Sequence, residues 1–385
     1  MSNLQLPVIG IYVHVPFCAA ICNYCNFNRG LFDASLKARY VEALVRDIQE
    51  TGAGRRDPAG GRADTIYFGG GTPSLLEPDE IDRIVRMCEA AFDLPRDREV
   101  TLEANPDSID ESRLRAYRDA GVNRLSVGVQ SFRDDELRRL SRLHDADRAA
   151  GAISEARRAG FDNISLDLMM WLPEQRVSQW LESVDAAVAI GPDHVSLYLL
   201  ELYPNAPLKD EMARARWSQA PDDDAATMYL EAMERFEAAG YQQYEISNVA
   251  RPGRRSRHNL KYWTDGEWNG FGCGAHSTRC GVRYKNVSST EEYVRRIEHG
   301  QPTSCEVRPM TPAERLGEAL FTGLRLSDGV DLGVFEDRYG VDVWERFGAD
   351  LRPFVDAGCL LHEGRTLRLT RPGMLVANEV MTVFV

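Results

Sequence analysis

Short apolar runs alternate along most of this chain with longer stretches whose apolar residues return at helical spacing. The first run, Val8 to Phe17, predicts a strand. Leu36, Tyr40, Ala43, Leu44 and Ile48 then mark one face of a helix over Ser35–Gln49. The alternation repeats with strand Thr65–Gly69 and helix Asp79–Phe92, then strand Val100–Ala104 and helix Glu111–Ala120. Strand Arg124–Val129 leads to a helix from Asp134 and another over Ala146–Ala159. Strand Ile164–Met170 precedes helix Val177–Ala189, and strand His194–Leu200 precedes helix Asp223–Ala239. Gly121, Gly160, Gly191 and Gly240 stand where these helices end, the usual place for a left-handed closing residue. About six β–α units in succession predict parallel strands covered by helices, arranged as an open doubly wound sheet or as a barrel.

The pattern changes near Gln301. Pro302 and Pro312 punctuate a linker, and Pro312–Leu324, Leu332–Tyr339 and Val341–Phe354 read as helices. Cys359–Thr370 reads as a hairpin turning at Glu363-Gly364. The expected organisation is an α/β domain over residues 1–300 and a small winged-helix-like α+β domain over 301–385.

Composition narrows the class of partner. A net charge of −13 argues against nucleic acid, whose phosphates need clustered Lys and Arg. No apolar stretch reaches the roughly 18 residues of a membrane span. The N-terminus lacks the basic-then-apolar signature of a signal peptide, so a cytoplasmic protein is expected. The 8 cysteines do not form a disulfide scaffold, because three of them are clustered. Cys88, Cys305 and Cys359 are expected to be inert buried thiols.

The clustered cysteines carry the strongest chemistry. Cys18, Cys22 and Cys25 follow the first strand at C-x3-C-x2-C spacing. Thiolates favour iron–sulfur clusters, zinc or copper. A closed zinc site needs four ligands, so zinc would require a further group such as His14; three buried thiols are the bland alternative. A 4Fe–4S cluster on three thiolates keeps one iron open for a cofactor. Other polar residues fall at the carboxyl ends of later strands, where barrels place their chemistry. They are the turn Gly69–Ser74, Glu103, Gln130 and, inside an apolar strand, Asp167, for which Arg142 is the candidate partner.

The cysteine spacing, with Tyr24 just before the last thiol, resembles the radical S-adenosylmethionine (SAM) superfamily. Four further pieces make the likeness specific: Tyr12-x-His14-x-Pro16-Phe17-Cys18, Gly69–Ser74, Gly121–Phe132 and Gly270–Ser277. Together they resemble the family of oxygen-independent coproporphyrinogen III oxidase and its heme-chaperone relatives. The resemblance implies a partial (β/α)6 barrel, a 4Fe–4S cluster on Cys18, Cys22 and Cys25, and SAM contacts from Tyr12, Tyr24, Gly70, Gly71, Thr72, Glu103, Gln130, Arg142 and Asp167. It also implies a reductant for the cluster.

Two features separate the branches of that family. The oxidase branch has a fourth cysteine two residues after the last ligand, where this chain has Phe27. The chaperone branch has His-Asn-x-x-Tyr-Trp, matched here by His258–Trp263 in a segment that runs on to Ser277. On this reading His258 ligates heme iron, Tyr262 and Trp263 cover the porphyrin, and Arg254, Arg255 and Arg257 meet its propionates; the residues without the resemblance favour a His258 that caps a loop, Tyr262 and Trp263 in the core and solvated arginines. The implied function is to carry heme to an acceptor protein. The alternative is an enzyme that uses SAM to decarboxylate a porphyrinogen, or radical chemistry on another tetrapyrrole. The chain departs from the family at Trp171, where glycine is usual, at Glu201, where a small residue is usual, and at Cys273, where proline is common. Cys273 is expected to be either a buried thiol or a thiolate ligand of the heme.

Overall fold

Ile9–Val15 (β1) is buried almost throughout, the mark of a strand covered on both faces. The structure, a computed structural model, describes residues 8–54, 61–204 and 206–385. The first seven residues, to which the signal-peptide expectation refers, lie outside the described residues. Ala63–Gly70 (β2), Glu99–Ala104 (β3), Arg124–Gln130 (β4), Ile164–Met170 (β5) and His194–Leu199 (β6) follow β1 in chain order, each parallel to the one before. The helices between them, including Ala34–Gly52, Pro78–Ala91 and Glu111–Asp119, bury one apolar face each against the outer side of the sheet. Tyr40, Leu44 and Ile48, the stripe expected on the first helix, are fully buried.

The sheet extends at both ends beyond those six strands to twelve. Asn248–Ala250 and Gln242–Glu245 continue it past β6 in antiparallel fashion. Trp268–Phe271 lies parallel to β1 on the other side, followed by His276–Arg279, Val282–Asn286 and Ser304–Pro309. The expected linker after Gln301 is therefore an edge strand of the main sheet. Proline is tolerated there because an edge strand has one side free of partners. The carboxyl ends of β2 to β6 converge on one cavity, so the sheet curls into a partial (β/α)6 barrel.

The C-terminal part has the expected winged-helix-like pattern. Helix Pro312–Gly323, strand Val330–Asp331 and helices Leu332–Tyr339 and Val343–Asp356 precede the hairpin of Leu360–Glu363 and Thr366–Leu369. Thr366–Leu369 is the central strand of the three. Its apolar residues are continuous with the barrel core. Cys88 is fully buried, as expected, but Cys305 and Cys359 are half-buried, because each lies on an edge strand or at a helix end rather than on a packed face. Among the described residues no helix is long and apolar enough to cross a membrane.

Candidate cofactor site

The loop after β1 wraps over the carboxyl end of the sheet and brings Cys18, Cys22 and Cys25 to the wall of one cavity of about 340 Å³. All three thiols are free. Thr72 donates to the Cys18 sulfur at 3.7 Å, and Arg142 reaches the Cys22 sulfur at 3.5 Å. Arg29 holds the loop by donating to the carbonyls of Phe27 (3.1 Å) and Cys25. Two guanidinium groups thus face three thiols, an arrangement that favours an anionic thiolate-bound cluster. His14 is not available as a fourth ligand. Its Nε2 is 2.7 Å from the Asn28 carbonyl and its Nδ1 is 3.2 Å from the Tyr12 hydroxyl. Among the described residues no three His, Cys, Asp or Glu groups are arranged to hold a single metal ion.

The glycine turn beside the thiols has no room for side chains. Gly70 has φ +116°, and a Cβ there would lie 2.5 Å from the His14 ring. A Cβ on Gly71 would lie 2.7 Å from the Phe17 carbonyl oxygen and 3.0 Å from the Cys18 sulfur. The backbone of this turn can therefore meet a ligand directly beside the Cys18 sulfur.

Glu103 on β3 accepts from the Gly70 amide at 3.1 Å and from the Tyr67 hydroxyl at 2.8 Å. Burial, opposed in part by the Tyr67 hydrogen bond, pushes its carboxyl up to about 7. Asp167 on β5 accepts from Ser126 at 3.2 Å, and burial pushes it up to about 6. Gln130 ends β4 at a register shift with φ +68°, which turns its side chain into the cavity, where its Oε1 has no partner. Such irregularities re-aim side chains next to sites. Arg142 donates to Asn105 Oδ1 at 2.7 Å and to the Gly128 carbonyl at 2.8 Å, and its Nε has no partner. Arg142 is thus not the direct partner of Asp167. It is spent on the Cys22 sulfur and the end of β4, while serines support Asp167.

Tyr24, Gly70, Gly71, Thr72, Glu103, Gln130, Arg142 and Asp167 all line this cavity with the three cysteines. Tyr12 does not. It lies beneath the glycine turn, with its ring 6.2 Å from that of Tyr67 and 6.3 Å from that of His258. Sequence reading missed Tyr67, Asn105 and Ser126, which orient Glu103, Arg142 and Asp167. Their signal was the period of two that puts Tyr67 and Ser126 on the lumen face of their strands. The orphaned Gln130 oxygen, the orphaned Arg142 Nε, the side-chain-free turn and the three thiols together fit SAM beside a 4Fe–4S cluster.

His258–Trp263 sits at the other end of the barrel. Helix Arg257–Trp263 closes the amino-terminal floor, its first amides donating to the Glu99 carboxylate at 3.0 Å from both Arg257 and His258. The His258 ring enters the lumen and is 1% exposed. Its Nδ1 is 2.8 Å from Thr65 Oγ1 and its Nε2 is 2.9 Å from the Tyr262 hydroxyl. Burial, with Lys261 and Arg124 nearby, lowers its pKa to about 3, so it is neutral. Both ring nitrogens are engaged, and iron ligation would require the floor helix to leave the barrel. Tyr262 packs edge-on to Trp268, and Arg325 from the C-terminal part stacks 4.5 Å from the Trp263 ring. The three expected propionate ligands have acidic partners: Arg254 with Asp162, Arg255 with Asp328, and Arg257 with Asp64. Replacing His258 by alanine is expected to remove two buried hydrogen bonds and open a cavity, costing about 2–4 kcal/mol in denaturant unfolding.

Each departure from the family has a local explanation. Trp171 adopts φ +62°, the conformation that glycine takes without strain, and donates from Nε1 to the Ala220 carbonyl at 2.7 Å. Cys273 is fully buried with Tyr40 and Thr290 around its sulfur, which makes it a structural thiol. Glu201 is exposed beside the cavity mouth.

A family model described as Radical SAM superfamily matches residues 12–187, and one described as HemN C-terminal domain matches residues 310–376. Heme chaperone HemW of Bacillus subtilis is 36% identical over 97% of this chain and 98% of its own length. This chain belongs to the HemW family. HemW of Haemophilus influenzae is 31% identical over 99% of this chain and 98% of its own length. Among solved structures, coproporphyrinogen III oxidase (HemN) from Escherichia coli superposes with a TM-score of 0.86 at 22% identity, covering 100% of this chain and 91% of that one. That likeness concerns the fold: this chain shares the barrel and the C-terminal part with that protein.

Proposed function

We propose that this protein is a heme chaperone that holds a 4Fe–4S cluster on Cys18, Cys22 and Cys25, binds SAM in the adjoining cavity and passes heme to an acceptor protein. The observation that carries the reading is end-to-end similarity to proteins named heme chaperone, 36% over nearly the whole of both chains for the Bacillus subtilis protein. Phe27, where the oxidase branch carries a fourth cysteine, supports the chaperone branch over the oxidase. A 4Fe–4S cluster held by Cys18, Cys22 and Cys25 would supply electrons for SAM chemistry and would draw them from a reductant. The chain's own residues bind and orient. The Gly70–Gly71 backbone and Glu103 offer hydrogen-bonding groups to the methionine end of SAM, Asp167 and Gln130 offer acceptors further in, and Arg142 supports the cluster edge.

The deciding experiment is anaerobic reconstitution followed by parallel assays. Hemin titration should saturate, and bound heme should transfer to a heme-free acceptor. Coproporphyrinogen should not be decarboxylated. Robust turnover to protoporphyrinogen would replace this reading with the enzyme one.

Glu103 makes the SAM site pH-sensitive. Its carboxyl titrates at about 7, so it is ionised above that pH and protonated below. An ammonium group of SAM needs the ionised form. Affinity should rise as pH rises through 7, by about tenfold per unit on the acid side, and level off above. The check is isothermal titration of the reconstituted protein across this range, with Glu103→Gln weaker and lacking this rise.

A further inference from the structure

The cavity that holds the three thiols has an unusually apolar mouth. Phe27 is 65% exposed, Leu199 46%, Tyr198 43% and Tyr203 37%, and all four line it. Scattered exposed apolar residues are ordinary, but several large ones around a single opening mark a ligand surface. The mouth also holds a phenol with a carboxylate beside it. The Tyr203 hydroxyl donates to Glu201 Oε2 at 2.6 Å and is within hydrogen-bond reach of the Asn26 side chain on the cluster loop. Arg29, on the same wall, faces the thiols, and among the described residues it donates to backbone carbonyls and pairs with no carboxylate.

We propose that the mouth of the cluster cavity, rather than the buried His258, is where ferric heme is held, with Tyr203 as its axial ligand and Glu201 as acceptor of the Tyr203 proton. The proposal rests on the heme-chaperone reading and gives it a location. A porphyrin is a flat apolar plate carrying anionic propionates and an iron that accepts one further ligand. Phe27, Tyr198 and Leu199 offer the plate apolar cover, Arg29 offers a propionate a counter-charge, and Tyr203 offers the iron a phenolate. The step balances without electron transfer. The Tyr203 O–H bond breaks, an O–Fe bond forms, the proton passes to the adjacent Glu201 carboxylate, any water on the iron leaves, and the iron stays ferric. His258 has neither exposure nor a free nitrogen for this task.

The test is hemin titration of the full-length, anaerobically reconstituted protein. Difference spectra give affinity, and resonance Raman spectroscopy gives the iron ligand. The wild type should show a phenolate–iron vibration. Tyr203→Phe should lose that vibration and bind hemin about tenfold more weakly or worse. Glu201→Gln should keep the phenolate mode with reduced affinity, and Phe27→Ala/Leu199→Ala should weaken binding without changing the ligand. His258→Ala should keep the wild-type ligand signature even where its stability falls. Saturable binding by the wild type without a phenolate mode, or an unchanged mode and affinity in Tyr203→Phe, would overturn the location and leave the chaperone reading standing. Absence of hemin binding by the wild type would overturn both.

Discussion

Replacing any one of Cys18, Cys22 and Cys25 by alanine is expected to abolish the 4Fe–4S cluster. Iron content of the anaerobically reconstituted protein should fall from about four per chain to near zero, with loss of the broad visible absorbance of the cluster. The effect is large because, among the described residues, no further cysteine or histidine lines the cavity with these three thiols. The His14 nitrogens are committed to Asn28 and Tyr12. Cys273, the other buried thiol close to this loop, is enclosed by Tyr40, Asn28 and Thr290. Alanine at Cys88, Cys273, Cys280, Cys305 or Cys359 should leave the cluster in place. Retention of a full cluster by the Cys18→Ala/Cys22→Ala double variant would refute the assignment.

Gly71→Ala should be nearly as damaging for SAM. The new methyl would sit 2.7 Å from the Phe17 carbonyl oxygen, a backbone atom that cannot swing aside, and 3.0 Å from the Cys18 sulfur. Relief must come from moving the glycine turn or the cluster loop. That costs about 1–3 kcal/mol in stability, and the displaced turn no longer meets the cofactor. SAM affinity should drop by more than tenfold while iron content falls only partly. Gly61→Ala is the control. Its Cβ would meet nothing closer than 3.5 Å, so both quantities should stay near wild type. Equal affinities for wild type and Gly71→Ala would show that the turn does not contact SAM.

Several features of the site were legible before folding because they are local. The thiol spacing lies within one loop, the glycine run within one turn, and the burial of β1 within a short apolar stretch. Glu103 and Gln130 were legible because each lies at or near the end of a strand in a regular β–α alternation, and Asp167 because a carboxylate stands inside an apolar strand. The strands between Gln242 and Pro309 were not legible. They are short and partly polar, and they exist because the open edges of the parallel sheet offer unpaired backbone groups.

The His258 motif shows where local reading stops. A histidine, two aromatics and a basic run have the composition of a heme pocket, but composition does not say which way the segment faces. Glu99 on β3 receives the start of the helix, Gly10 on β1 leaves space for the imidazole, and Asp64, Asp162 and Asp328 neutralise the arginines. These partners are distant in sequence, and together they make the segment the barrel's floor. Arg142 is a second case: adjacency in the barrel gives it Asn105, Gly128 and Cys22 in place of Asp167. By itself, then, the sequence determined the candidate thiols, the side-chain-free turn and the alternation of strands and helices, each a matter of local spacing, while the choice of a barrel over a doubly wound sheet came with the fold. The tertiary structure alone decided which polar groups pair, which histidine is sealed in and which tyrosine is left open. A buried group takes its partners from whatever the curled sheet brings within hydrogen-bond reach.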